Sequence, residues 1–332
     1  MARASTVRSD LLLLLAAVIW GFAFVAQRMG MDHIGPFLFN AIRFAMGAGV
    51  LVLVVKVRNA WGHGGMGAWR RKGMVQGSGE AGKPREVNKT RPLTADRRPP
   101  IIYGLLLGVI LFAGATFQQA GIVYTTAGNA GFITGLYVIL VPLFGIFTGQ
   151  KAGVNLWGGA ILATIGLYFL SVTEHFTISK GDLLVLTGAI FWAIHVLYTG
   201  WLSPRTSALH LAVTQYTVCA VLSLISAFLF ESNTFAGIYN AAIPLLYGGL
   251  LSVGIAFTLQ IIGQKKAPPA HTAIILSLEA VFAVIGGIII LSETMTDRKW
   301  IGCVLMLIGM LMAQIRAVSS RQSAVSSQKD AH

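Results

Sequence analysis

Long apolar runs alternate with short polar breaks through nearly the whole chain. A bilayer crossing takes about 20 mostly apolar residues over about 30 Å of hydrocarbon. Ten runs meet that measure: 11–28, 36–57, 101–122, 126–148, 153–173, 183–202, 208–230, 241–264, 269–291 and 299–316. With no water in the hydrocarbon, each run must satisfy its own backbone groups, so each is predicted to be a helix. The expected fold class is an all-α integral membrane protein with ten transmembrane helices. Two tracts break the pattern. Residues 58–98 are rich in Gly, Lys, Arg and Pro, and residues 317–332 are rich in Ser and Gln. Neither can bury enough apolar surface to order itself, so both are expected to be flexible and cytoplasmic.

The pattern also repeats. DLLLLLAAVIWGFAFV starts at Asp10 and DLLVLTGAIFWAIHVL starts at Asp182, each with a tryptophan ten residues on, Trp20 and Trp192. A second echo follows: Gln150, Trp157, Gly159 and Gly166 recur at the same spacing as Glu293, Trp300, Gly302 and Gly309. The domains predicted are a first repeat over 1–173 and a second over 181–316. Five helices per repeat is an odd number, so the second copy enters from the opposite side and the repeats are inverted. Such repeats are a recurring construction of secondary transporters, with substrate near the midplane between the halves. Asp10 and Asp182 are each expected to cap the start of their helix and meet its positive dipole end.

Composition agrees with the pattern: 55% hydrophobic residues, 11% charged residues and a mean hydropathy of +0.72. The net charge of +13 changes the picture only through its distribution. With a cytoplasmic N-terminus, twenty Lys and Arg fall on the cytoplasmic side and four (Arg28, Lys180, Arg298 and Lys299) on the other, which sets the orientation and puts both termini inside. The basic charge is then topology, and no nucleic-acid partner is expected. Arg3 and Arg8 precede an apolar run that resembles a signal peptide. That run ends in Gln27-Arg28 and has a full-length counterpart near residue 182, so it is read as a retained span. Cys219 and Cys303 lie inside spans and read as small apolar residues. No H-E-x-x-H, G-x-S-x-G or Cys/His array is present. No catalytic residue, metal or cofactor is therefore expected, and the protein reads as no enzyme. A ring of like charges that would favour a channel is also missing.

Polar groups inside the spans carry the candidate chemistry, because charge in hydrocarbon is costly and faces the bundle interior or a water-filled cavity. Two full charges qualify: Arg43 in the second span and Glu279 in the ninth. Their depths are close enough that they can pair or serve separate purposes. The midplane depth of Glu279 suits a proton-titrating coupling site, which makes the proton a candidate coupling ion. Trp20, Phe24 and Gln27 share one face of the first helix, and Trp192, His195 and Thr199 share the matching face of the sixth. Gln118 and Gln119 in the third helix, Gln260 in the eighth, and Tyr137 and Thr134 in the fourth add amides and hydroxyls. Packing alone would also explain an aromatic stripe of this kind, and its recurrence in both repeats favours a cavity.

At these residues the chain resembles a known family. AAVIWGFAFVAQ, FLFNAIRFAMGAGVLV, LEAVFAVIGGIIILSE and WIGCVLMLIGM are similar to segments of the drug/metabolite transporter superfamily, in its ten-helix, two-repeat EamA branch. Within it the chain is similar to bacterial amino-acid exporters, including the YddG-like group that exports aromatic amino acids. The resemblance implies an inner-membrane secondary exporter with a central cavity between two five-helix halves. Family members commonly have Pro after the ninth-helix Glu where this chain has Ala280, which leaves a kink there open. The expected substrates are small apolar or zwitterionic metabolites, amino acids first, since a cavity with aromatics and amides but little fixed charge suits them. Other metabolites or drugs of the superfamily are the alternative. The expected partners are the substrate and the lipid bilayer, and the working unit is a monomer or a homodimer.

Overall fold

The computed structural model describes residues 2–72, 100–148, 153–171, 178–232 and 234–312, and over these it is helical with no β-sheet. Helix one is Ala2–Gly30, helix two Pro36–Lys72 and helix three Pro100–Ile122. Helix four is built from Ala127–Gly135 and Tyr137–Gly145. Helix five is Val154–Ser171, helix six Lys180–Leu202 and helix seven Ala208–Phe230. Helix eight joins Ala242–Leu246, wide π-helical turns over Tyr247–Phe257, and Thr258–Gly263. Helix nine is Pro269–Leu276 followed by Glu279–Leu291, and helix ten spans 297–312. Eight of these ten are individually long and apolar enough to cross a membrane; helices five and ten are shorter over the described residues.

Three local expectations are corrected. Helix one begins at Ala2, ahead of Asp10, because nothing in the preceding residues stops it. Asp10 therefore caps nothing and instead pairs with His271 Nε2 at 2.8 Å. Asp182 does sit in the first turn of helix six, but the cap is Ser179, whose hydroxyl accepts from the Asp182 N–H. The Asp182 carboxylate accepts from the Thr125 hydroxyl. Helix two continues to Lys72, so the front of the tract expected to be flexible is helical; no proline occurs before Pro84 to stop it. Residues 73–99, Gln150 and the 317–332 tail lie outside the described residues.

The packing is unchanged in pattern when helices one to five are exchanged with six to ten. Helix three packs on six as one packs on eight, and helix three on seven as two on eight. Helix one packs on nine as four packs on six, while two meets seven and four meets nine. Helices five and ten cross through the glycines of the second echo. A Cβ on Gly166 would stand 2.7 Å from the Gly302 carbonyl oxygen, one on Gly302 2.8 Å from that of Gly166, and one on Gly309 2.6 Å from that of Gly159. Only glycine admits backbones this close, which is how membrane helices gain contact without a hydrophobic driving force. The polarity is inverted relative to a soluble protein. Leu11, Leu53, Ile101 and Phe228 are exposed on the outside, whereas Asn40, Arg43, Gln118 and Glu279 are buried.

Two faces result. The loops 203–207 and 264–268 lie on the face where the chain starts, the N-terminal face. The loops 31–35, 123–126 and 292–296 and residues 231–232 lie on the opposite, distal face.

Candidate functional site

Helices four and nine both tighten into a three-residue-type turn at matching depth. Leu136 N–H donates to Ile133 O at 3.2 Å and Ile139 N–H to Leu136 O at 2.9 Å; Leu278 N–H donates to Ile275 O at 3.3 Å and Val281 N–H to Leu278 O at 3.0 Å. The helix-nine break forms without the proline common elsewhere, with the Ser277 hydroxyl donating to Ile274 O at 2.7 Å. Tyr137 and Glu279 each follow their break directly, at the start of a new helical segment. A carboxylate there meets the positive end of that segment, and discontinuous helices at the midplane are typical of carrier sites.

These breaks border a cavity of about 470 Å³, counting the part that opens towards solvent. Of the residues singled out from sequence, Trp20, Phe24, Gln27, Arg43, Gln118, Thr134, Tyr137, Trp192, Gln260 and Glu279 line it. Three do not. Gln119 turns away and donates from Nε2 to Gln27 O at 3.3 Å. His195 is buried with Nε2 against Gln215 Oε1 at 2.9 Å, and Thr199 is buried behind the wall. Sequence reasoning missed Val196, Ser252, Phe257 and Leu276. A signal existed for two of them: Val196 lies as far from Phe24 as Trp192 lies from Trp20, and Leu276 as far from Thr134 as Gln260 from Gln118. Ser252 and Phe257 sit in the π-helical turns of helix eight, which rotate the face away from ordinary helical spacing.

Most neutral polar groups of the wall bind one another. Trp192 Nε1 donates to Gln118 Oε1 at 2.7 Å, Gln118 Nε2 to Gln27 Oε1 at 3.0 Å, and Gln27 Nε2 to Ala23 O at 3.1 Å. Trp20 Nε1 donates to Ser252 O at 3.3 Å. Gln260 Oε1 is buried without a partner. The aromatic rings converge on Phe257, whose centroid is 4.6 Å from that of Trp20 and 5.8 Å from that of Trp192.

Arg43 and Glu279 line the same cavity, yet among the described residues they form no ion pair. Arg43 is held on its own side: Nε donates to Asn40 Oδ1 at 2.9 Å, Asn40 Nδ2 donates to Ala115 O at 3.1 Å, and the guanidinium stacks over Phe44 at 4.9 Å. Glu279 has the Tyr137 hydroxyl beside it. The chamber thus presents a guanidinium from helix two and a carboxyl group from helix nine, with aromatic rings between the halves.

The model of the EamA-like transporter family matches the chain twice, over residues 7–172 and 179–314. An uncharacterized transporter of Archaeoglobus fulgidus is 28% identical over 316 residues, covering 93% of this chain and 86% of the relative. The uncharacterized transporter YoaV of Bacillus subtilis is 26% identical, covering 89% and 92%. The uncharacterized inner membrane transporter YedA of Escherichia coli is 21% identical, covering 86% and 83%. A solved crystal structure superposes with a TM-score of 0.64 at 19% identity, covering 93% of this chain and 98% of the other, and shares the fold.

Proposed function

The chain belongs to the EamA-like transporter family, and on that premise we propose that it is a secondary exporter of amino acids and similar small zwitterionic metabolites, large apolar and aromatic ones foremost. The observation that carries this reading is the pair of opposite charges, Arg43 and Glu279, lining one cavity without binding each other. A guanidinium and a carboxyl group buried here are costly to hold as charges without a counter-ion, and a zwitterion supplies one to each, its carboxylate to Arg43 and its ammonium to Glu279. The rings of Trp20, Trp192 and Phe257 then suit an apolar or aromatic side chain.

The two five-helix halves rock about this chamber, exposing it alternately to each face. The Lys and Arg distribution supports a cytoplasmic N-terminal face and a distal face outside the bacterial inner membrane. Glu279 is also the group through which a proton gradient would couple to export, since its carboxylate can carry a proton when the ammonium leaves.

The test is counterflow in liposomes holding the purified protein, preloaded with unlabelled amino acids and offered traces of labelled ones, with and without a pH gradient. Saturable exchange strongest for large apolar members is the expected result. No exchange for any amino acid would remove the substrate assignment and turn the search to other metabolites.

A further inference from the structure

Two carboxylates on the distal face cap helices two and four from the other half, in helix four beside its own Thr126 cap, whose hydroxyl accepts from the Asn129 N–H at 3.1 Å. Glu231, just past helix seven, accepts from the N–H groups of Phe37 and Leu38 at 2.7 and 2.9 Å, one oxygen each. Glu293, just past helix nine, accepts from Ala127 and Gly128 at 2.7 and 3.1 Å in the same two-pronged way. Each thereby closes the exposed N-terminus of a helix in the first half with a charge from the second half, where the helix dipole favours an anion.

The surrounding backbone is shaped for this. A Cβ on Gly35 would lie 2.2 Å from Glu231 Cδ, and one on Gly287 2.5 Å from Glu293 Oε2, so any larger residue would push the carboxylate out of this position. Helix nine ends in Ser292 at φ 52°, the one non-glycine residue with positive φ among those described. The Glu293 N–H closes that turn on Gly287 O at 3.1 Å, which aims the side chain at helix four. A left-handed serine costs conformational energy, and the capped helix is what it achieves.

The N-terminal face is joined differently. Asp10 of helix one meets His271 of helix nine, each about one-third exposed. In sequence, the first-half positions matching Glu231 and Glu293 are Asn59 and Gln150, which carry no charge.

We propose that Glu231 and Glu293 are paired latches that hold the distal face closed, and that the chamber opens to that face only when helices two and four are released from them. Opening requires the halves to part there, and all four bonds cross between the halves. The inference rests on the carrier reading only in that the chamber must open to this face at some point in its cycle.

Accessibility tests it without any substrate. A reporter cysteine at the cavity residue Thr134, in full-length protein with Cys219→Ala and Cys303→Ala, is exposed in liposomes to a membrane-impermeant maleimide from the distal side. The expected result is labelling at least threefold faster in E231Q/E293Q than in the parent; a smaller change overturns the latch. If that variant does not assemble, Gly287→Ala, which displaces the Glu293 carboxylate while leaving its charge, decides by the same threshold. Amino-acid counterflow is measured on separate vesicles that hold the protein with Thr134 intact and no maleimide. Faster labelling without counterflow would sustain the latch and remove the substrate reading, and counterflow with unchanged labelling would do the reverse.

Discussion

Gln118 of helix three and Gln260 of helix eight are the same residue at matching places in the two halves, both on the cavity wall, yet they do different work. Gln118 is locked between Trp192, Gln27 and Thr134, at 2.7, 3.0 and 3.5 Å. Gln260 keeps an unpartnered oxygen. The same divergence recurs with charge: Arg43 matches Gln215, and Glu279 matches Tyr137. Duplication places the positions, and each half then fills them with its own chemistry. The first half supplies the cation and a braced polar wall, and the second supplies the anion and a free acceptor. A chamber built from two identical halves would have repeated each group; this one carries a guanidinium on one half and a carboxyl group on the other, the arrangement on which the proposed zwitterionic substrate rests.

The comparison can be broken from its strongest side first. Removing the anion by Glu279→Gln should lower counterflow about thirtyfold or more, since deleting one partner of a desolvated charge pair costs about 2–5 kcal/mol. Normal transport by a well-inserted E279Q protein would sink the assignment. Next is the braced wall: Gln118→Leu leaves the buried Trp192 N–H unpaired and should destabilise the fold by about 2–3 kcal/mol, read by thermal unfolding in detergent. Giving the first half the residue of the second, Arg43→Gln, should lower counterflow of zwitterions about tenfold and leave uptake of a neutral, carboxylate-free analogue less affected. An equal loss for both would show that Arg43 is only structural. The smallest effect is expected at the matching glutamine. Gln260→Leu should change stability by less than about 1 kcal/mol, having no bond at Oε1 to break, while altering substrate preference. If Q118L and Q260L destabilise alike, the contrast between the halves fails.

Much of the cavity wall was legible because hydrocarbon makes polar side chains conspicuous. Arg43 and Glu279 stand out in otherwise apolar runs, and the Trp20 and Trp192 faces repeat in register. His195 and Thr199 share the face of Trp192 in sequence but do not line the cavity: both are fully buried, and Gln215 of helix seven engages the imidazole. Phe257 was illegible since nothing in YGGLLSVGIAF announces π-helical turns, and those turns decide which side chains face inward. The capping role assigned to Asp10 failed for a related reason: a cap depends on where the helix starts, and helix one starts earlier.

The sequence by itself determined the solvent of this protein, its ten helices and its two matching halves, because those follow from the length, period and repetition of apolar runs. The opposed but unpaired charges, the bracing of Gln118 against Trp192, and the capping of helices two and four by Glu231 and Glu293 were decided only by tertiary structure. They depend on contacts between segments up to about two hundred residues apart, and no local pattern encodes which polar group will be the one across the cavity.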